Sequence, residues 1–186
     1  MNVVFTCGGT GGHINPAIAV ANEYRQRHPD ANILFIGAQG RMEEKLVPQA
    51  GYTLKTIPAS GMARGISWKA FKHNLTAATY VLQAVSACKR ILREFHADVV
   101  VGTGGYASFP ALYAASKMGI PTCVHEANAM PGLTTRMIAN RADRVLTCFA
   151  ESAKHYRNQN NVETVGMPVR KEFIFTKKEE ARQELG

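Results

Sequence analysis

The sequence predicts an α/β protein with a doubly wound, mainly parallel sheet. Three observations carry the prediction. Short apolar, β-branched runs alternate with helix-like segments along the chain, the longest helix-like segment carries an apolar stripe, and two of the runs lead into glycine-rich loops. Such runs are typical of strands buried on both faces, and their alternation with helices indicates a parallel sheet.

The elements follow in order from these patterns. The predicted strands are Val3–Cys7, Ile33–Gly37, Leu54–Ile57 (the weakest), Val99–Gly102, Thr122–His125 and Val145–Cys148. The predicted helices are Pro16–His28, Arg41–Ala50, Ser67–Phe95, Phe109–Met118 and Leu133–Arg141. Pro16 is expected early in its helix, where its missing N–H does no harm. The stripe expected to pack on the sheet consists of Phe71, Leu75, Ala78, Leu82, Val85, Leu92 and Phe95.

Composition limits the function classes. The chain has 186 residues, 46% of them hydrophobic, and a net charge of +8, which suits one globular domain and favours polyanionic partners. Nucleic acid is not expected, because the positive charges are dispersed and no zinc-finger or aromatic RNA-binding pattern occurs. Neither a membrane span nor a signal peptide is predicted. The four cysteines are interpreted as buried apolar side chains in a reducing cytosol.

The last residues predict a domain boundary. Gly166–Arg170 is followed by a polar stretch in which Thr176 and Glu179 form a capping-box pattern, so a new helix is expected near Lys177. We therefore expect one domain over 1–166 and the start of a linker and next helix over 167–186. The chain is expected to be part of a longer protein.

Two loops share one pattern. After the first strand comes Thr10-Gly11-Gly12-His13, and after the fourth comes Thr103-Gly104-Gly105-Tyr106, each leading into a helix. Glycines allow sharp turns and close approach of a ligand, and a helix N-terminus offers free N–H groups. Because both loops follow parallel strands, they are expected to face one crevice that holds a diphosphate.

Two rival phosphate sites fit less well. A nucleoside-triphosphate loop needs Lys followed by Ser or Thr, whereas Gly12 is followed by His13. A dinucleotide fingerprint needs a third glycine, where Ile14 stands, and an acid after the second strand, which ends without a carboxylate. A nicotinamide dinucleotide-binding module therefore remains the alternative from a different class. A non-catalytic membrane scaffold is another.

Three further positions carry candidate chemistry. His13 is expected to precede its helix and face the crevice, and the ordinary histidine pKa of about 6.5 suits a general base. Glu126 and Asn128 follow the fifth strand and are expected beside the first loop. Their structural alternatives are an ion-paired Glu126 and a helix-capping Asn128. Arg170 is expected at the domain boundary, against a phosphate or in solvent.

Taken together, four blocks resemble one family. Thr6–Pro16, Gly102–Pro110, His125–Thr134 and Gly166–Arg170 are similar, in order and spacing, to the enzymes that add N-acetylglucosamine to undecaprenyl-diphospho-muramoyl-pentapeptide. The resemblance covers essentially the whole chain. A glycosyl diacylglycerol synthase-like transferase is the alternative within the same class.

The resemblance implies a Rossmann-like domain that forms the N-terminal, acceptor-binding half of a GT-B glycosyltransferase. UDP-N-acetylglucosamine would be held mostly by a second domain, with inverting transfer, no cofactor and no metal. The catalytic candidates are His13 as base and Glu126, with the choice of base left open. The implied substrate-binding residues are Thr10, Gly11, Gly12, Gly104, Gly105, Tyr106, Asn128 and Arg170. Ala127 and Met167 depart from the family's usual Gln and Asn.

The resemblance also implies a peripheral location at the cytoplasmic face of the bacterial membrane. The segment Arg64–Leu75 mixes basic and bulky apolar side chains around Trp68. This pattern indicates an anionic lipid surface as the partner, with a core stripe and solvated lysines as the alternative.

Overall fold

The computed structural model describes residues 1–58, 68–170 and 182–183, with the side chains of the long helix described from residue 80 onward. The strands are β1 (Asn2–Thr6), β2 (Asn32–Ala38), β3 (Thr53–Ile57), β4 (Val99–Gly102), β5 (Thr122–Glu126), β6 (Arg144–Thr147) and β7 (Val162–Thr164). The helices are α1 (Gly11–Arg27), α2 (Glu43–Gln49), α3 (Trp68–Glu94), α4 (Ser108–Lys117) and α5 (Leu133–Ile138), with a short 3-10 helix at Ala150–His155.

The strands form one parallel sheet in the order β3-β2-β1-β4-β5-β6-β7. The order reverses beside β1, whose neighbours are β2 and β4, so the sheet is doubly wound as predicted. In doubly wound sheets, ligands bind at the carboxyl ends of the strands where this reversal occurs. The fold therefore singles out the loops that follow β1 and β4.

The sheet is buried on both faces because its strands alternate apolar side chains between two cores. On one face, Val3 and Phe5 pack with Phe35, and the rings of Phe5 and Phe35 stack at 5.4 Å between centroids. On the other face, Val4 and Val100 pack against side chains of α3 and α4, including the fully buried Leu112. Helices thus cover both faces of the central strands.

The six predicted strands and the five predicted helices up to Arg141 are present, and β7 is an additional short strand. The start of α1 differs: Thr10 is extended and precedes the helix, which begins at Gly11 rather than at Pro16. Pro16 therefore lies inside α1, where its ring removes the N–H that would bond to the Gly12 carbonyl. Pro16 thus stands at the sixth residue of α1 rather than at its first position. The same shift places His13 in the first helical turn.

The stripe on α3 is partly wrong. Val85 and Leu92 are buried as predicted, but the Leu82 side chain is 71% exposed. The buried side includes Cys88, and Leu82 lies roughly 120° around the helix from it at 3.6 residues per turn. Phe71, Leu75 and Ala78 lie outside the side chains that the structure describes.

The cysteines divide into two pairs. Cys7 and Cys88 are buried as predicted, whereas Cys123 and Cys148 are only partly buried, and none forms a disulfide. The capping-box residues Thr176 and Glu179 lie outside the described part of the chain. Within that part, no helix has both the length and the apolar character that a bilayer crossing requires.

Candidate active site

The two glycine loops meet at the carboxyl edge of the sheet, as predicted. β1 and β4 are paired neighbours, so their following loops start side by side. The backbone of Gly105 lies against the Gly8 carbonyl, and the Tyr106 ring covers Gly9, where an added Cβ would stand 2.9 Å from the ring carbon Cε1. The Arg41 guanidinium lies 5.7 Å from the centroid of the Tyr106 ring. The loops therefore form one packed unit.

His13 is held between the loops in a defined tautomer. Its Nδ1 lies 3.0 Å from the Thr103 carbonyl oxygen, and the Thr103 hydroxyl donates to the His13 carbonyl at 2.6 Å. A carbonyl oxygen only accepts, so Nδ1 carries the proton and the neutral ring keeps its lone pair on Nε2. The ring is partly exposed. This geometry leaves Nε2 of His13 as a proton acceptor.

The N-terminus of α1 is open to an anion. Thr10 gives no side-chain cap, and the first turn contains no acidic residue. The N–H groups of a first helical turn lack intrahelical acceptors and carry partial positive charge. A Cβ on Gly12 would meet nothing closer than the Thr10 hydroxyl oxygen at 3.7 Å. The backbone at Gly11 and Gly12 can therefore be approached closely by a phosphate.

A cleft of about 230 Å³ joins this helix end to the segment after β7. Its walls are Gly11, Gly12, Asn15 and Pro16 on one side and Met167, Pro168, Val169 and Arg170 on the other. The structure thus brings Arg170 to the same cleft as the first loop. Three of the predicted site residues, Gly11, Gly12 and Arg170, share this space.

Gly104 and Gly105 are shaped by packing. Their φ angles are +97° and +81°, a region that side chains rarely adopt. A Cβ on Gly104 would stand 2.8 Å from Nδ1 of His13. Both glycines are therefore needed to seat the second loop on the first, whether or not a ligand is bound.

Glu126 is buried and holds the loop after β5. Its side chain is 3% exposed. One carboxylate oxygen accepts hydrogen bonds from the Asn128 backbone N–H at 3.0 Å and side-chain amide at 2.8 Å, and the other accepts from the Gly132 N–H at 2.9 Å. The loop carbonyls of Asn128 and Ala129 accept from the Ser152 hydroxyl, which lies 2.8 and 3.0 Å away. Asn128 itself is exposed.

The placement of this loop differs from the expectation. Glu126 and Asn128 were expected beside the first glycine loop, but β4 lies between β1 and β5 in the sheet. Their nearest strand neighbour therefore leads into the second glycine loop. Among the described residues Glu126 forms no salt bridge, and its carboxylate is held by N–H groups of its own loop instead.

His125 connects β5 to the segment that carries Arg170. Its Nε2 lies 3.1 Å from the Gly166 carbonyl oxygen and 3.4 Å from Sγ of Cys148. The ring is buried, which lowers the pKa of His125 below its ordinary value, because burial disfavours the charged form. The Gly166 contact and the charge of Glu126 oppose this shift.

Sequence reasoning missed two residues that shape the site. Thr103 fixes the tautomer of His13, and Glu43 sends its carboxylate to the first loop, where it accepts from the Gly9 N–H at 3.2 Å. The available signal for Thr103 was its repeated position before two glycines. Glu43 gave no signal beyond an acidic residue in the first turn of a short helix. Among the described residues, no group of three or more His, Cys, Asp or Glu side chains could hold a metal ion.

Known proteins resemble this chain over most of its length. The profile of the glycosyltransferase family 28 N-terminal domain matches residues 3–147. Two curated relatives are UDP-N-acetylglucosamine–N-acetylmuramyl-(pentapeptide) pyrophosphoryl-undecaprenol N-acetylglucosamine transferases. The one from Alkaliphilus oremlandii is 41% identical over 181 residues, 97% of this chain and 48% of the relative. The one from Desulforudis audaxviator is 42% identical over 186 residues, 100% of this chain and 49% of the relative.

Solved structures agree with this likeness. The crystal structure of Acinetobacter baumannii MurG matches with a TM-score of 0.73 at 25% identity, over 91% of this chain and 46% of that one. The structure of Staphylococcus aureus MnaA with UDP matches with a TM-score of 0.65 at 11% identity, over 90% and 44% of the two chains, and shares the fold alone. The chain spans about half the length of the curated relatives it matches.

Proposed function

This chain belongs to glycosyltransferase family 28, and on that premise we propose that it forms the acceptor-binding half of a transferase. The proposed reaction moves N-acetylglucosamine from UDP-N-acetylglucosamine to the muramoyl 4-hydroxyl of undecaprenyl-diphospho-muramoyl-pentapeptide. The names of its relatives support this choice of substrates. The observation that carries the proposal is His13, held by Thr103 with the Nε2 lone pair available beside two glycine loops.

In the proposed reaction, Nε2 of His13 accepts the proton of the acceptor hydroxyl. The hydroxyl oxygen forms a bond to the anomeric carbon, the bond from that carbon to the diphosphate oxygen breaks, and UDP leaves with the electron pair. Attack on the face opposite the leaving group inverts the anomeric centre. Thr103 supports this role because its carbonyl accepts the Nδ1–H and keeps the ring oriented.

The other site residues are assigned by their surroundings. We propose that Gly11 and Gly12 offer N–H groups to a diphosphate and that Thr10, Asn128 and Arg170 contact the sugar nucleotide from this side. Tyr106 orients the acceptor, and Gly104 and Gly105 seat the second loop on the first beside the acceptor diphosphate. Glu126 acts through the loop it holds, since its oxygens already accept three hydrogen bonds from that loop.

A hybrid enzyme tests the proposal. This chain is joined to the second half of the Alkaliphilus oremlandii relative, with that relative as positive control, and transfer from labelled UDP-N-acetylglucosamine to the lipid acceptor is measured. His13→Ala is expected to lower kcat by roughly 10²- to 10⁴-fold, the usual contribution of a positioned base, with little change in KM for the sugar nucleotide. His28→Ala, on the exposed C-terminal end of α1, is the matched control.

Two outcomes contradict the proposal. A folded hybrid without transfer, beside an active relative, would reject the substrates. If Glu126→Ala lowers kcat far more than His13→Ala does, the roles of base and loop organiser must be exchanged.

We also propose a peripheral location at the cytoplasmic face of the membrane, where the acceptor diphosphate lies. The net charge of +8 supports it, and each basic group near an anionic surface contributes about 1 kcal/mol. The segment Arg64–Leu75 proposed for this contact lies outside the side chains that the structure describes. Sedimentation with anionic vesicles is expected to show salt-sensitive binding that Lys69→Glu with Lys72→Glu weakens. Binding that the double substitution leaves unchanged would reject this segment.

A further inference from the structure

Glu43 is a fully buried acid, and the fold must offset the free-energy cost of removing its carboxyl group from water. Its side chain is 0% exposed, and among the described residues no cation forms a salt bridge with it. A buried carboxylate without such compensation is strongly destabilising. Two backbone N–H groups take the place of a cation. Oε1 accepts from the Ala38 N–H at 2.8 Å and Oε2 from the Gly9 N–H at 3.2 Å.

Two glycines make room for this side chain. A Cβ on Gly37, near the end of β2, would stand 2.6 Å from Cγ of Glu43. A Cβ on Gly8, in the first loop, would stand 3.0 Å from Oε1 of Glu43. The absence of a side chain at Gly37 is therefore tied to the path of the Glu43 side chain, whereas at Gly8 it also leaves room for Cβ of Ala107, which would stand 2.8 Å from an added Cβ.

We propose that Glu43 is a positioning residue for the first glycine loop. Its two carboxyl oxygens accept from N–H groups of two different segments, so Glu43 ties the Gly9 N–H to the end of β2 and fixes the turn in which Gly9 has a φ of +88°. That turn sets the direction in which α1 begins. Glu43 thereby determines where the N–H groups of Gly11 and Gly12 point and where His13 lies.

The hydrogen bond at Gly9 adds a second consequence. Because the Gly9 N–H already donates to Glu43, it is not available to a phosphate. The anion is therefore directed to the open N–H groups of Gly11 and Gly12 at the helix end. The catalytic part of this inference rests on the proposed transferase function, whereas the loop geometry does not.

Amide hydrogen exchange of this chain, followed by NMR, tests the loop geometry without any activity. In Glu43→Gln one of the two acceptor oxygens becomes an NH₂ group, so either Gly9 or Ala38 loses its acceptor. We expect exchange at that amide to accelerate at least about tenfold, because an unpaired amide exchanges from smaller openings. Glu44→Gln, one residue along and exposed, is the control. Unchanged exchange at both amides in Glu43→Gln would overturn the proposal.

A second variant changes the position of the Glu43 side chain without replacing it. Gly37→Ala is expected to displace the Glu43 side chain. Amide exchange at Gly9 should then accelerate, although the added methyl group does not contact the Gly9 N–H. In a Glu43→Ala background, adding Gly37→Ala is expected to change exchange at Gly9 little, since residues in contact give non-additive effects. Equal effects of Gly37→Ala in both backgrounds would mean that it acts independently of Glu43.

The hybrid transferase supplies the catalytic readout. Glu43→Gln is expected to lower kcat at least about tenfold, about 1.4 kcal/mol, with KM for the sugar nucleotide nearly unchanged and Glu44→Gln like the parent. Altered exchange together with an unchanged kcat would overturn the positioning role. If the parent hybrid is inactive, the proposed function fails instead, and the exchange data still decide the loop geometry.

Discussion

The two glycine loops share one sequence pattern but use their glycines for different physical reasons. In the first loop, Gly11 and Gly12 open α1, and a Cβ on either would meet no atom closer than 3.5 Å. In the second loop, Gly104 and Gly105 have positive φ and are packed against His13 and Gly8. The first pair leaves the N-terminus of α1 open to a ligand, whereas the second pair allows the two loops to pack closely against each other. A repeated motif therefore does not imply a repeated role.

The largest expected effect separates these roles in the second loop. Gly105→Ala is expected to lower the free energy of unfolding by about 3 kcal/mol, because left-handed strain contributes about 1–2 kcal/mol and overpacking about 1–3 kcal/mol. Urea denaturation measures the change. Gly119→Ala is the matched control, since Gly119 has a φ of +71° but no atom near an added Cβ, and it should lose only the strain contribution. Equal losses at both glycines would show that the contact with Gly8 contributes nothing.

The same substitution in the first loop is expected to act in the opposite direction. Gly12→Ala should leave the free energy of unfolding unchanged or raise it by up to about 0.5 kcal/mol, because alanine favours a helix over glycine. In the hybrid transferase it should reduce transfer about tenfold, because the Cβ stands where a ligand approaches, a loss of about 1.4 kcal/mol. Denaturation and transfer assays on one preparation check both. A marked loss of stability would place Gly12 with the packing glycines.

The smallest expected effect concerns the contact between His125 and Gly166, a glycine with positive φ and open surroundings. The pKa of His125 is lowered in the folded chain, chiefly by burial. In the unfolded chain His125 has its ordinary pKa of about 6.5. The unfolded chain therefore binds a proton there at a higher pH than the folded chain does. Stability present at neutral pH should decrease as the pH falls towards the folded pKa.

Urea denaturation at pH 7.5 and 5.5 measures this dependence, with His125→Gln as the variant from which it should be absent. Glu126 and Cys148 also face the ring, so Cys148→Ser controls for the thiol. A pH dependence that persists unchanged in His125→Gln would assign it to another group.

Local periodicity was sufficient for the sheet and the helices, because apolar repeats depend on nearby residues. It failed at the start of α1, where two glycines in a first helical turn look like loop residues, and at Leu82, whose exposure depends on how α3 sits on the sheet. The contact between the two glycine loops could be predicted, because parallel neighbouring strands end at the same edge of the sheet. The burial of Glu126 and the reach of Glu43 to Gly9 could not, since the latter hydrogen bond spans 34 positions and leaves no trace in local sequence.

The pairing of β1 with β4 also bears on how the chain folds. The Asn2 N–H donates to Asp98 across 96 positions, and His13 meets Thr103 across 90. Contacts between distant positions form late, because the intervening chain must lose conformational entropy first. During synthesis, the first loop leaves the ribosome long before the residues that orient its histidine exist. The contact between His13 and Thr103 therefore forms only after the central strands have paired, so a chain in which β1 and β4 are still apart has the first loop without an oriented His13 ring.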